Sequence, residues 1–251
     1  MNANLIKDFI NNFYGYGNLN SKIYFIGKEE GGVTNIKQLE DRIQAWKKLG
    51  SKKTVDMAEF HKLIGEKYYF MDSHENDFQL QNTWWRYSYI YHSFLYKSAP
   101  TRESYKYIQS KKLGRMGGLG ALIELKSLPS KNEKIWPYGG LNIGFLRSRS
   151  VYESFIFEKR VSDIKEMVNR FKPRLVVFNG KNKNDKIVSY WERIAGTKFH
   201  KHEDFDLLIG NNDQTIFIIS KQMASGQITN QQLFNIGLYA ANERDIFPGT
   251  H

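Results

Sequence analysis

The chain has no cysteine. That absence excludes a disulfide framework, a thiolate zinc site, a cysteine nucleophile and a cysteine-ligated iron–sulfur cluster. Proline is scarce, at 5 of 251 residues, and no low-complexity tract is present. No apolar run approaches the roughly 18 residues that a transmembrane helix needs. Residues 1–12 include Asp8 and lack the apolar core of a signal peptide. The phosphate-cradling patterns G-x-x-x-x-G-K-[ST] and G-x-G-x-x-G are missing, as is the G-x-S-x-G nucleophile elbow. These absences point to a cytoplasmic, monomeric protein with no membrane contact, no nucleotide or other cofactor and no metal. The histidine groupings His200-x-His202-x-Asp204 and Asp72-x-His74 match no ligand spacing with a known mechanism.

What is present is aromatic and basic. Phe, Tyr and Trp make up 15% of the chain, and the formal net charge is +11. The surplus is concentrated between residues 97 and 186, which hold 20 basic and 8 acidic residues. It is densest over residues 97–115, where Lys97, Arg102, Lys106, Lys111, Lys112 and Arg115 face only Glu103. Tyr105 and Tyr107 are interleaved, and glycines follow at 114, 117, 118 and 120. A basic, aromatic stretch suits a polyanion, because Lys and Arg release condensed counterions from phosphates. DNA is therefore the expected partner, and a solvated basic surface is the plain alternative.

Short apolar runs alternate with helical patterns. Strands are predicted at 22–26 (KIYFI), 120–125 (GALIEL), 174–178 (RLVVF) and 215–219 (TIFII). Helices are predicted at 5–13, 36–49, 57–64, 82–96, 151–171, 185–194 and 230–241. Continuous apolar strands separated by helices imply an α/β fold with a parallel sheet covered on both faces. No linker divides residues 1–251, so one domain is expected. Ligands bind such sheets outside the carboxyl ends of the strands. The segments 27–32, 126–130, 179–181 and 220–226 therefore carry the candidate site.

The strand ends bear Gly27-Lys28-Glu29-Glu30-Gly31-Gly32, then Glu124 within 120–129, then Asn179-Gly180, then a Ser220-Lys-Gln-Met-Ala-Ser-Gly226 loop. In layout and at these four places the chain resembles the uracil-DNA glycosylase superfamily. The resemblance implies a three-layer α/β/α sandwich around a central, mostly parallel four-stranded sheet. It also implies an enzyme that flips a nucleotide out of DNA and cleaves the bond between base and sugar. Carried over by position, it places a water-positioning carboxylate at Glu29 or Glu30 and a base-reading residue at Glu124. Lys221 or Gln222 would stand where the family has the histidine of its leaving-group loop. The family's Asn, His and Pro are absent at these places, which turns the expectation from uracil toward a modified base.

The chemistry is coherent without the resemblance. Breaking an N-glycosidic bond develops positive charge on the sugar and negative charge on the base, so a carboxylate near the anomeric carbon helps. An ionised Glu124 only accepts hydrogen bonds. It would take one from the N4 amino group of cytosine and repel O4 of uracil, unless it is protonated. A pair with Lys126 or a nearby Arg is its structural alternative. Phe60 and Tyr69, with Tyr68, Phe70, Trp84 and Trp85, are candidates to stack on a flipped base. Lys111, Lys112, Arg115, Arg147, Arg149, Lys181 and Ser225 are candidates for phosphate contacts. The leading expectation is a DNA glycosylase for a cytosine derivative, such as glucosylated 5-hydroxymethylcytosine in phage DNA, with an antiviral role. The rivals are a non-catalytic nucleic-acid-binding module and a metal-dependent nuclease using Glu29, Glu30 and Asp56.

Overall fold

The four predicted strands lie side by side in the computed structural model, which describes residues 2–118, 120–180, 186–203 and 207–243. They are β2 (Ile23–Glu29), β4 (Gly120–Lys126), β5 (Leu175–Asn179) and β8 (Ile216–Ser220). Their order is β4-β2-β5-β8, and every neighbouring pair is parallel. The expected four-stranded sheet is nevertheless corrected: among the described residues the sheet is mixed and has eight strands. Two-residue strands β1 (Gly15–Tyr16) and β3 (Thr54–Val55) extend it beyond β4, with β1 antiparallel to β4. Antiparallel β7 (Leu207–Asn211) and β6 (His200–His202) extend it beyond β8. Strands β1, β3 and β6 are short or polar and carry no apolar run, whereas β7 carries Leu207-Leu208-Ile209, a run the sequence reading passes over.

Alternation along the strands builds two cores. Ile23 and Phe25 of β2, Leu122 of β4, Leu175 and Val177 of β5 and Ile218 of β8 face one apolar cluster. Tyr24, Ile26, Ile123, Val176 and Phe217 face the other. The first cluster is covered by α1 (Ala3–Asn12), α2 (Ile36–Lys48), α3 (Met57–Leu63), α4 (Asn82–Tyr96), α5 (Arg102–Lys111) and α8 (Asn230–Asn242). The second is covered by the C-terminal half of α6 (Arg149–Phe171) and by α7 (Lys186–Ala195). Helix bounds match expectation within about two residues. Helix α5 is additional, because its stripe of apolar positions is masked by the lysines around it.

Local chemistry sets the helix ends that matter. Ser148 caps α6 by accepting from Val151 N at 3.3 Å, and Thr229 and Gln232 form a reciprocal capping box on α8. Helix α4 stops at Lys97 in the left-handed conformation. It packs tightly on α8, where a side chain at Gly237 would meet the Ile90 carbonyl at 2.7 Å. Arg160 of α6, 1% exposed, donates to the carbonyls of Leu125 (3.1 Å) and Phe13 (2.8 Å), clamping the end of β4 to the end of α1.

Candidate active site

The carboxyl ends of the parallel strands carry a polar row on the face of the first cluster. Register places Gly27 beside Glu124 and Asn179 beside Ser220, and Glu29 follows beside Lys126. Tyr87 of α4 stacks on Phe25 one step deeper, with ring centroids 4.2 Å apart. Its hydroxyl is hydrogen-bonded to the Asn179 side chain. Asn179 Oδ1 in turn accepts from Met223 N at 2.8 Å, which fixes the amide orientation and ties the turn after β8 to β5.

Glu124 is the anomaly of the row. Its carboxyl lies against the backbone of Gly27, so a Cβ at position 27 would fall 2.8 Å from Oε1 and nearer still to Oε2. Oε2 is buried without a hydrogen-bond partner among the described residues. Burial, followed by the charges of Glu30 and Glu29, pushes the Glu124 carboxyl well above the ordinary carboxylate range. That shift favours the neutral acid, the case in which Glu124 donates as well as accepts. The expected pair with Lys126 is absent, since Lys126 Nζ bonds Glu29 Oε2 (3.0 Å) and Glu153 Oε1 (3.1 Å).

Glu29 and Glu30 diverge. Glu29 Oε2 takes both Lys126 and Arg149 Nη1, the latter at 2.7 Å. Glu30 turns toward α2 and α3. Its Oε1 accepts from Arg42 Nη1 at 3.0 Å and lies 3.5 Å from His61 Nε2, while Tyr16 donates to Oε2 at 3.0 Å. Burial alone would raise the Glu30 carboxyl. Arg42, His61 and Tyr16 outweigh it and bring the pKa down to about 2. His61 Nδ1 donates to the Met57 carbonyl at 2.7 Å, and Glu66 Oε2 lies 3.8 Å from the same Nε2 that faces Glu30. Two carboxyls that feel each other are thus shifted in opposite directions.

The structure divides the remaining candidates. Tyr69 belongs to an aromatic wall beside this network, edge-on to Trp84 at 5.1 Å, and Trp84 meets His61 at 4.9 Å. Gln222 and Ser225 are exposed on the turn after β8, and Lys221 is half-buried there. Ser225 Oγ donates to the Gln222 carbonyl at 2.7 Å. Arg147 is exposed just before α6. Lys181 lies outside the described residues.

Two expectations need correction, and a third group of candidates stands elsewhere on the fold. Phe60 is fully buried, stacked on Phe13 at 5.5 Å, because its helix turns that face into the core. Arg149 is engaged internally rather than offered to phosphate: Nη2 donates to Ser130 Oγ and to the carbonyls of Asn132 and Ile135, each at 2.9 Å. Lys111, Lys112 and Arg115 lie at the amino end of β4, where Leu113 bridges to Gly120. Four residue steps of about 3.3 Å separate Gly120 from Glu124, so they stand about 13 Å or more from it along the strand. Strand direction was the readable signal, since residues that precede a parallel strand sit at its amino end.

Asp56, offered above as a metal ligand, caps α3 through Ala58 N and Glu59 N and bonds Arg115 Nε at 2.9 Å. Among the described residues no group of three or more His, Asp and Glu side chains converges as a metal site. Sequence reasoning includes Gly27 and Asn179 in the strand-end segments but misses Arg42, His61 and Tyr87 as site residues. Arg42 is detectable in principle: it falls on the apolar stripe Leu39–Ile43–Trp46 of α2, where a buried charge needs a partner.

No protein-family model and no curated protein matches the chain. Its function is therefore read from the site's own geometry. No helix among the described residues is long and apolar enough to cross a membrane.

Proposed function

We propose that the chain is a cofactor-independent DNA glycosylase, with a layered fold and a strand-end site of the uracil-DNA glycosylase kind. The observation that carries this reading is the Glu124 carboxyl, buried against Gly27 with Oε2 unpartnered and pushed toward its neutral form, at the same strand ends as the ion-paired Glu30. Environments that push two carboxyls apart in this way assign acid and anion roles in glycosidic cleavage. Glu124 supplies a hydrogen bond or proton to the departing base. Glu30, with a pKa of about 2 and its oxygens held by Arg42 and Tyr16, is too weak a base to remove a proton efficiently and acts instead as a fixed, ion-paired charge behind the site. Glu29, whose two cations both fall on Oε2, orients the attacking water through Oε1. Tyr69, half-buried beside the buried Trp84, offers a ring face for the extruded base.

A neutral carboxyl presents one donor and one acceptor. It pairs with N3 and N4 of cytosine, and equally with O4 and N3 of uracil, so edge chemistry alone no longer disfavours uracil. We retain a modified cytosine as the proposed substrate because the chain lacks the Asn and His of the uracil pattern. Excision from a modified phage genome would make the enzyme antiviral.

The test is an abasic-site assay in EDTA on plain DNA, uracil-containing DNA and DNA bearing glucosylated 5-hydroxymethylcytosine. Alkali-labile nicks confined to the modified substrate are expected, and Glu124→Gln should abolish them. Nicks on uracil DNA alone would sink the cytosine assignment. Direct cutting only after magnesium is added would sink the glycosylase, and binding without product on every substrate would favour the non-catalytic module.

A further inference from the structure

The amino ends of the parallel strands gather basic residues that the strand-end site does not use. Ser21 Oγ bonds the Gly118 carbonyl, which brings the turn before β2 against the segment before β4. The Lys22 carbonyl accepts from both Arg174 N (2.8 Å) and Leu175 N (3.1 Å), which joins the start of β2 to the start of β5. Lys111, Lys112 and Arg115 therefore continue through Lys22 to Lys172 and Arg174 along one edge of the sheet. Lys22, Lys111, Lys112 and Lys172 are exposed. Tyr107 is 50% exposed, and Lys112 Nζ lies over its ring at 6.0 Å. The nearby acids are few: Asp56 is occupied by Arg115 and the α3 cap, and Glu59 and Asp213 stand at the margins.

We propose that this amino-end belt is a second nucleic-acid-binding surface, which grips the backbone of a duplex independently of sequence and apart from the strand-end site. Neighbouring strands are about 4.8 Å apart, so the belt crosses about 10 Å from β4 to β5. Duplex DNA carries one charge per about 1.7 Å of axis, so that span faces about six phosphates. The belt contains cations, a tyrosine face and only Met116 as an exposed aliphatic side chain, less apolar area than a lipid anchor presents, and its charge sign excludes a basic partner. The belt acts whether or not the chain is a glycosylase.

The experiment measures binding of the full chain to a fluorescein-labelled, unmodified 25-base-pair duplex across a salt series. The belt variant carries Lys22→Gln, Lys111→Gln, Lys112→Gln and Lys172→Gln. A control of equal net charge carries Lys7→Gln, Lys47→Gln, Lys48→Gln and Lys159→Gln, all at exposed positions away from the belt. The belt variant should bind about tenfold or more weakly at 100 mM salt, and its salt slope should fall by about 0.9 for each phosphate it no longer neutralises. The control should stay within about twofold of the parent. Equal weakening in both variants would reduce the effect to net charge and overturn the proposal, as would no weakening in either. Belt-dependent binding to vesicles containing phosphatidylserine, without belt-dependent duplex binding, would also overturn it in favour of a lipid surface. A catalytically silent protein that still shows belt-dependent duplex binding would refute the glycosylase and leave the belt standing.

Discussion

Glu124 occupies the space that a side chain at position 27 would need, so the glycine on β2 and the acid on β4 are a matched pair across one parallel register. Gly27 is not among the glycines with positive φ, so its role is clearance and not turn geometry. Gly27→Ala is expected to displace the Glu124 carboxyl and to abolish product formation. In a Glu124→Ala background the same substitution should be well tolerated. A double-mutant cycle read by urea denaturation should give a coupling of about 1–3 kcal/mol. Additive effects would show that the two residues do not meet.

Glu124 also sets a pH dependence of definite sign. Its folded-state pKa is raised, so the folded state binds more protons than the unfolded state above about pH 4.5. That contribution to stability is present at low pH and is lost as pH rises toward the folded pKa. Glu124→Gln removes the titration. The variant should therefore gain in Tm relative to the parent as pH increases from 5 to 9, while remaining inactive. A constant Tm difference over that range would contradict a neutral Glu124.

Glu30 behaves in the opposite sense. Its folded pKa of about 2 lies below the unfolded value, so its stabilisation is present above about pH 4.5 and is lost as pH falls through 2. The shift corresponds to about 3 kcal/mol. Glu30→Gln should lose most of this at pH 7, because Arg42 is left without its carboxylate. The gap between parent and variant should close on acidification to pH 2.5, as followed by circular dichroism.

Arg149 is expected to matter for the order of the 130–135 loop rather than for phosphate affinity. Removing it leaves Glu29 with Lys126 alone and takes a donor from Ser130 Oγ and from the Asn132 and Ile135 carbonyls. Arg149→Ala should cost about 3 kcal/mol and speed proteolysis between residues 130 and 136. Arg147→Ala, at an exposed position, should leave Tm within about 1 °C and change only DNA affinity. Equal melting temperatures for the two variants would reverse this assignment.

The sequence by itself determined the parallel core and the places where its strands end. Runs such as KIYFI and RLVVF are continuously apolar and end at Gly27 and at Asn179-Gly180, so local burial and punctuation suffice to place them. It also marked Glu124 as a carboxyl inside an apolar strand. Only the tertiary structure decided that this acid is pushed toward its neutral form, because its protonation depends on desolvation against Gly27 and on the charges of Glu29 and Glu30 from another strand. Likewise, Phe60 reads as an available ring until α3 turns it into the core, and Arg149 reads as a free cation until the 130–135 loop closes around it. The basic stretch is plain in the chain, but strand direction sends it about 20 Å from the carboxyl ends. Periodicity and composition act over a few residues, whereas charge states and the convergence of side chains are set by segments that meet only in the folded sheet.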